Sequence, residues 1–428
     1  MKADREADHD QSIQPHLAVT YPGNAGPGRV AGGIDQTLLV ATSAVIGLYG
    51  WLVFVTTFNH DGLVGPHYNA PGTDYMVYWS AARAAMAGNF ALLADPVAFT
   101  DQINSQFQAW LSRPLPLFPW LYPPHFLLIL LPFAVLPFAL SYAAFQITSF
   151  AAAVAAGCCF WAGPSRRWWV WPLGLALAPA TSVNAIAGQN ALLTLALLLG
   201  GVGLLGRRDF AAGAILGLLS YKPQLALMVP VALLAARNWR ALAGAALSAS
   251  SAMALSAAIF GFAPWWDWLG HTVPGGLMGG AADPAWSQTG RLWGLSVWAW
   301  ATLLGAPGWL ANSAQAAAIV LAATCTWIAF RGQLGCDRRM AVLLTATLIA
   351  APHSSSYDLV LLAAAALLVY REMLDGIAIV PRPLLLTLPW YAPLAMGPRS
   401  SVFGFGVPVV ILGLLLILLH PARQEKMA

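Results

Sequence analysis

Charge is what this chain has least of. Only 9% of its residues are Asp, Glu, Lys or Arg, and three of the 428 are lysine. A soluble domain carries roughly a quarter charged residues, so too little polar surface is available to face water, and a soluble globular protein is excluded. Cysteine is nearly as scarce. Cys158, Cys159, Cys325 and Cys336 stand mostly in or beside apolar runs with no metal-ligand spacing between them, which makes them small packing residues rather than a metal cluster or redox pair. Short alternating stretches of strand period are missing, which excludes a membrane β-barrel. The formal charge of +4 is spread over short connections, so no basic surface for nucleic acid is expected.

What is present is hydrophobic length. The chain is 59% hydrophobic with a mean hydropathy of +0.66. Leu38 to Phe58, Ala241 to Phe262, Ala314 to Phe330 and Phe405 to Leu419 approach or exceed the roughly 20 residues that a bilayer core requires. Backbone polar groups in hydrocarbon must be satisfied within the segment, so these runs predict helices. The expected fold is all-α, a polytopic transmembrane bundle of 10–13 spans, with parity unresolved around 125–184 and 210–236. Residues 125–162 read as two short helices broken around Pro132 and Pro137. Phe210–Ser220 and Gln224–Ala236 read as the arms of a broken hairpin with Tyr221-Lys222-Pro223 at its apex, each arm only about 17–20 Å long.

Basic residues recur at Arg166-Arg167, Arg207-Arg208, Arg237 with Arg240, Arg331 with Arg338-Arg339, and Arg371 with Arg382. By the positive-inside rule these connections are cytoplasmic, and the basic-poor ones face the other side of the membrane. Residues 1–35, polar and rich in Gly and Pro, are expected to be a disordered cytoplasmic tail before a signal-anchor helix. Two long loops, 59–124 and 263–290, fall on that outer side, and long loops on one face suggest a functional surface. In the first, Thr73 or Asp74 can cap a helix whose Tyr75, Trp79, Ala82 and Met86 share an apolar face and which Gly88 can end. Such an amphipathic helix is predicted to lie on the membrane surface.

Ionisable residues away from cytoplasmic loops are expensive in a membrane protein and are usually retained for function. Lys222 is the most informative, because the other two lysines lie in the tails. Its bland reading is a side chain snorkelling from a helix end; the functional one is an anion site lining a cavity. For Asp74 the bland reading is an N-cap, but the helix dipole would also hold its carboxylate ionised and ready to accept a proton. His353 and Asp358, five residues apart beside a proline, form a polar break between apolar helices and not a helical metal motif. Gly188-Gln189-Asn190 opens another apolar helix, where Gln and Asn often serve as caps.

In order along the chain, the landmarks are Gly72-Thr73-Asp74-Tyr75 with Tyr78-Trp79 and Ala82, Leu121-Tyr122-Pro123-Pro124, and Gly188-Gln189-Asn190. They continue with Gly213 through Gly217 to Tyr221-Lys222-Pro223, then Arg237 to Arg240, then Pro352-His353 to Tyr357-Asp358-Leu359. This series resembles glycosyltransferase family 87, membrane-embedded enzymes of GT-C type related to polyprenyl-phosphate-mannose-dependent mannosyltransferases. The resemblance spans roughly residues 36–370 as one catalytic domain, leaving 371–428 as C-terminal helices and a short tail. It implies transfer of a hexose, mannose by analogy, from a polyprenyl-phosphate sugar to a lipid or glycan acceptor at the periplasmic face. Asp74 matches the family's acidic residue in the first outer loop, its general base, and His353 resembles the histidine near the late helix break.

The chemistry is consistent on its own terms. A leaving phosphate needs no general acid, unlike the alcohol expelled by a glycosidase, so one base suffices and cations should stabilise the phosphate. Lys222 is the leading cation, with Arg291 or Arg399 as partners; His353 joins Lys222 and Arg291 as expected phosphate contacts. Tyr78, Trp79, Tyr122, Gln189, Asn190, Tyr357 and Asp358 are the expected substrate-binding residues. Direct displacement would invert the anomeric centre. No cofactor is expected; metal dependence is left open, although the sequence has no clear carboxylate pair to hold an ion. The competing readings are a transporter or flippase, since broken helices with charged apices are common there, and a ligase moving a preassembled glycan. No convincing internal repeat supports a transporter.

Overall fold

The computed structural model describes residues 41–52 (43 excepted), 71–160 (112 and 113 excepted), 169–272, 294–373 (333 excepted) and 406–419. The tail 1–35, Arg291, Arg399 and most of the loop 263–290 lie outside the described residues. Within them the architecture is all-α, with no strand beyond a single bridge between Gly294 and Ser355.

The first loop folds into three helices, α1 (Thr73–Met86), α2 (Phe90–Ala94) and α3 (Pro96–Gln106). The bundle follows with α4 (Phe126–Ala134), α5 (Phe138–Phe160), α6 (Val170–Leu177), α7 (Pro179–Ala187), α8 (Ala191–Leu204) and α9 (Asp209–Gly217). After a tight turn at Leu218–Tyr221 come α10 (Pro223–Ala226), α11 (Met228–Ala235), α12 (Trp239–Phe260) and the short α13 (Ala263–Asp267). The last group is α14 (Val297–Leu303), α15 (Gly308–Arg331), α16 (Cys336–Ala350), α17 (Val360–Met373) and α18 (Gly406–Leu419).

Three of these, α5, α12 and α15, are long and apolar enough to cross a membrane, or four spans if the bent pair α6 and α7 counts as one. The expected 10–13 spans exceed that number for a physical reason. Ala191–Leu204, Asp209–Tyr221, Pro223–Ala235 and Ser356–Leu368 are apolar but short, and other stretches lie outside the described residues. The segment around Pro132 and Pro137 also differs from expectation. Pro132 sits inside α4 without ending it, and α5 runs for 23 residues, about 34 Å at 1.5 Å per residue, a full crossing rather than a second short helix.

The hairpin through Lys222 is closed at its base. Asn238 Nδ2 donates to Asp209 Oδ1 at 2.6 Å, so the chain enters and leaves on the same level. α12 then runs alongside α9, where Gly213 and Gly217 lie directly against the backbone of Ala241 and Ala245. Small residues at a helix seam permit this close approach where lipid supplies no hydrophobic drive between helices. The end of α12 and the segment after it meet the first long loop: Phe90 packs on Phe260 with centroids 5.5 Å apart, and Trp268 Nε1 donates to Leu121 O at 3.1 Å.

α1 corrects two expectations. It does not lie on a membrane surface: Tyr75, Met76, Val77, Tyr78, Ser80, Ala81, Ala82, Ala84 and Ala85 are all buried, which covers most of its circumference. It packs chiefly on α4 and is roofed by the rest of its own loop. Nor do Thr73 or Asp74 cap it. Gly72, in the left-handed region at φ 74, is the N-cap, and the helix has no side-chain cap hydrogen bond. Gly88, at φ 71, follows the last turn as its sequence position suggests.

Candidate active site

Two left-handed glycines set the site. Gly72 and Gly188 stand against each other, Gly72 N donates to Ile186 O at 2.6 Å, and any side chain at 188 would collide with Tyr75. Only glycine combines this φ with backbone contact on both sides. The result is that the start of α1, carrying Asp74, faces the α7–α8 turn, carrying Gln189 and Asn190.

Gln189 Nε2 donates to Asp74 Oδ2 at 2.8 Å, while Gln189 Oε1 accepts from the Tyr78 hydroxyl at 2.6 Å. The Tyr78 and Tyr122 hydroxyls are 2.6 Å apart. Asn190 Nδ2 donates to both, at 3.0 and 3.1 Å, and its Oδ1 accepts from Lys222 Nζ at 3.2 Å. Lys222 Nζ also forms a buried ion pair with Asp358 Oδ1 at 2.8 Å and lies 5.3 Å from the centroid of the Tyr357 ring. Asp358 Oδ2 in turn accepts from Ser355 N at 3.0 Å, closing a capping box at the break before α17. Asp74, Tyr78, Tyr122, Gln189, Asn190, Lys222, Tyr357 and Asp358 are thus one connected cluster.

The Lys222 side chain is 3% exposed and points inward to Asp358 rather than out to an interface. Isolated charges in such a place would cost several kcal/mol each, and the pair with its flanking hydrogen bonds is what makes them tolerable. Asp74 lies outside the spanning segments and keeps part of its surface accessible. Burial pushes its carboxyl up to about 6; the Gln189 hydrogen bond and the Lys222 charge oppose this, and Asp358 adds to it. A carboxylate in that range can exchange a proton near neutral pH.

Two expected residues lie elsewhere. Trp79 is turned to the far side of α1, its Nε1 donating to Leu136 O at 3.0 Å and its ring 5.4 Å from the Arg83 guanidinium. His353 is exposed, its ring 6.4 Å from that of Trp298. Two other residues support the site and were not anticipated. Gln146 Nε2 donates to Gln189 O at 3.0 Å, and Asn184 Nδ2 donates to Gln146 Oε1 at 2.9 Å. Asn184 Oδ1 accepts from Ala191 N at 3.1 Å, starting α8 in place of a conventional cap. The available signal was an amide inside an otherwise apolar helix, which a search restricted to ionisable residues passes over. Among the described residues, no group of three or more His, Cys, Asp or Glu could hold a metal ion.

An all-α membrane protein with a buried polar cluster beneath its first loop is the class that fold and site define. The profile of glycosyltransferase family 87 matches residues 120–352. The chain belongs to this family and is a membrane glycosyltransferase, with a sugar donor and an acceptor as its substrates. No curated protein and no solved structure matches it.

Proposed function

We propose that the protein transfers a hexose, mannose by family analogy, from a polyprenyl-phosphate donor to a lipid or glycan acceptor at the periplasmic face of the plasma membrane. The catalytic unit on this reading is 36–370. The observation that carries it is the single cluster joining Asp74, at about pKa 6, through Gln189, Tyr78 and Asn190 to Lys222. One end offers a base and the other a cation, as displacement of a sugar from a phosphate requires. The acceptor oxygen attacks the anomeric carbon with inversion while Asp74 takes its proton. The bond from that carbon to the phosphate oxygen breaks, and the electron pair leaves with the polyprenyl phosphate. Two of the three Lys222 N–H donors are already engaged by Asp358 and Asn190, so the phosphate would approach the third.

The test is Asp74→Asn. The amide keeps the size of the side chain and its bond partner, but it cannot accept a proton, a function typically worth 10²–10⁴ in rate. Transfer from a synthetic polyprenyl-phosphate mannose to extracted membrane lipid should fall by about that factor at unchanged thermal stability. Near-normal turnover would remove Asp74 as the base. In the wild-type protein, protonated Asp74 is inactive, so transfer should rise with pH through about 6 and level off above it.

A further inference from the structure

The hydrogen bonds of the cluster have a direction, and that direction is imposed from the Lys222 end. An ammonium group only donates, so the Asn190 atom facing it must be the oxygen, and Asn190 Nδ2 must point at the two tyrosine hydroxyls. Both tyrosine oxygens therefore accept from Asn190, and each retains one proton to give. Tyr122 lies 2.6 Å from Tyr78 but 3.4 Å from Gln189 Oε1, whereas Tyr78 lies 2.6 Å from Gln189 Oε1. The assignment that uses the short contacts has Tyr122 donating to Tyr78 and Tyr78 donating to Gln189. Gln189 Oε1 is then fixed as an acceptor, which leaves its Nε2 for Asp74 Oδ2. A flipped Gln189 would set its oxygen against a carboxylate and its amide hydrogens against an occupied hydroxyl. Every donor thus points away from the cation and towards Asp74, and chains aligned in this way strengthen one another.

We infer that Gln189 is a positioning residue that presents Asp74 as a one-sided base, and that Asn190 and Tyr78 hold Gln189 in the orientation this requires. The inference deepens the reading of Asp74 as the base and rests on it. Gln189 occupies Oδ2, so the oxygen left for an acceptor hydroxyl is Oδ1, aimed in one direction. The same bond favours the ionised carboxylate, which burial opposes. Gln189 is itself anchored, because its backbone oxygen accepts from Gln146. Gln189 and Asn190 were expected to bind substrate or to cap α8. Gln189 instead spends both ends of its amide on protein partners, and Asn190 makes no side-chain cap.

The charged and titratable groups acting on Asp74 are few. Lys222 and Asp358 reach it by charge, and Tyr78 and Tyr357 are the nearby phenols. Arg83, on the same helix, is committed to the Trp79 ring and to Ala134 O. Of the helices packed on α1, α3 brings the exposed Asp101 and α5 brings Tyr142, which donates to Ala185 O. The others, α2, α4 and α7, bring none.

Infrared titration of the purified full-length protein in detergent tests the inference without any substrate. The protonated-carboxyl stretch of Asp74 is identified by its loss in Asp74→Asn. Gln189→Met should raise its midpoint by roughly half a unit or more, the effect of removing one hydrogen bond to the charged form. Tyr78→Phe keeps the ring packing and removes a hydroxyl that bonds Gln189 and not Asp74, and it should raise the midpoint in the same direction by less. Combined with Gln189→Met it should add nothing further. Tyr75→Phe, in the same aromatic cluster but outside the chain, should leave the midpoint at the wild-type value. A wild-type midpoint in Gln189→Met or in Tyr78→Phe overturns the inference, and if Gln189→Met does not fold, Tyr78→Phe decides. Loss of transfer in Asp74→Asn beside unmoved midpoints would remove the positioning role and leave the base standing. Retained transfer in Asp74→Asn would remove the base itself.

Discussion

Around α16 the interior is aliphatic, with Met340 through Leu344, Ala346, Leu348 and Ala350 all enclosed, chiefly by α15, α17 and α18 with α10 and α11. Beneath the first loop it is aromatic, with Tyr75, Tyr78, Phe99, Trp120, Phe126, Phe145 and Tyr221 in one packed cluster. Leucine and alanine fill space without direction, so a helix can shift slightly and remain packed. Tyrosines fill space and also carry hydroxyls that must each find a partner. Tyr75 meets Ser141 at 2.7 Å, Tyr221 meets Thr194 at 2.6 Å, and Tyr78 meets Tyr122 and Gln189. The aliphatic region therefore gives tolerance and the aromatic region gives geometry, and the candidate site is built in the second.

The largest expected break in that comparison is at the charged end of the cluster. Lys222→Ala leaves Asp358 buried beside Ser355 with no counter-charge, and removing one partner of a buried pair costs about 3–5 kcal/mol. Stability in detergent should fall accordingly, and replacing both residues with apolar ones should recover most of it. Donor turnover should not return in that double variant. If it does, the cation has no part in transfer.

Next in size is Leu343→Ala, fully buried in α16. It should cost towards the low end of about 2–5 kcal/mol, because the cavity remains but a membrane-embedded unfolded side chain already sits in lipid. The pH profile of transfer should keep its wild-type shape. A shifted profile would mean that the two cores are mechanically coupled. The smallest effect belongs to Tyr75→Phe, which removes the bond to Ser141 and leaves the ring in place. About 0.5–1.5 kcal/mol of stability should be lost with the Asp74 titration unchanged.

Much of this was legible in the residues. Long apolar runs with few charges permit only membrane helices, and Lys222 beside Pro223 between two short arms announced a break with an ionisable apex. What misled was local chemistry read without neighbours. Asp74 near a helix start looks like a cap, yet Gly72 takes that position and Asp74 turns to a glutamine 115 residues away in sequence. The Tyr75 to Met86 spacing looks amphipathic, yet α2, α3, Leu115 and Trp120 pack with it and most of its circumference is buried. Gln146 and Asn184 carry no charge, so a search restricted to ionisable residues passes over them although each is an amide in a largely apolar helix.

The sequence by itself determined the all-α membrane class, the helix break at Lys222 and the residue types available for chemistry. These follow from hydrophobic length, proline, glycine and the cost of charge, which act over a turn or two of chain. Only the tertiary structure decided that Asp74, Gln189, Tyr78, Asn190, Lys222 and Asp358 form one directed network, and that Trp79 turns to the far side of its helix. Hydrogen-bond direction depends on which donor meets which acceptor, and those partners are brought together by the contact of Gly72 with Gly188 and by the return of the hairpin, neither of which is local.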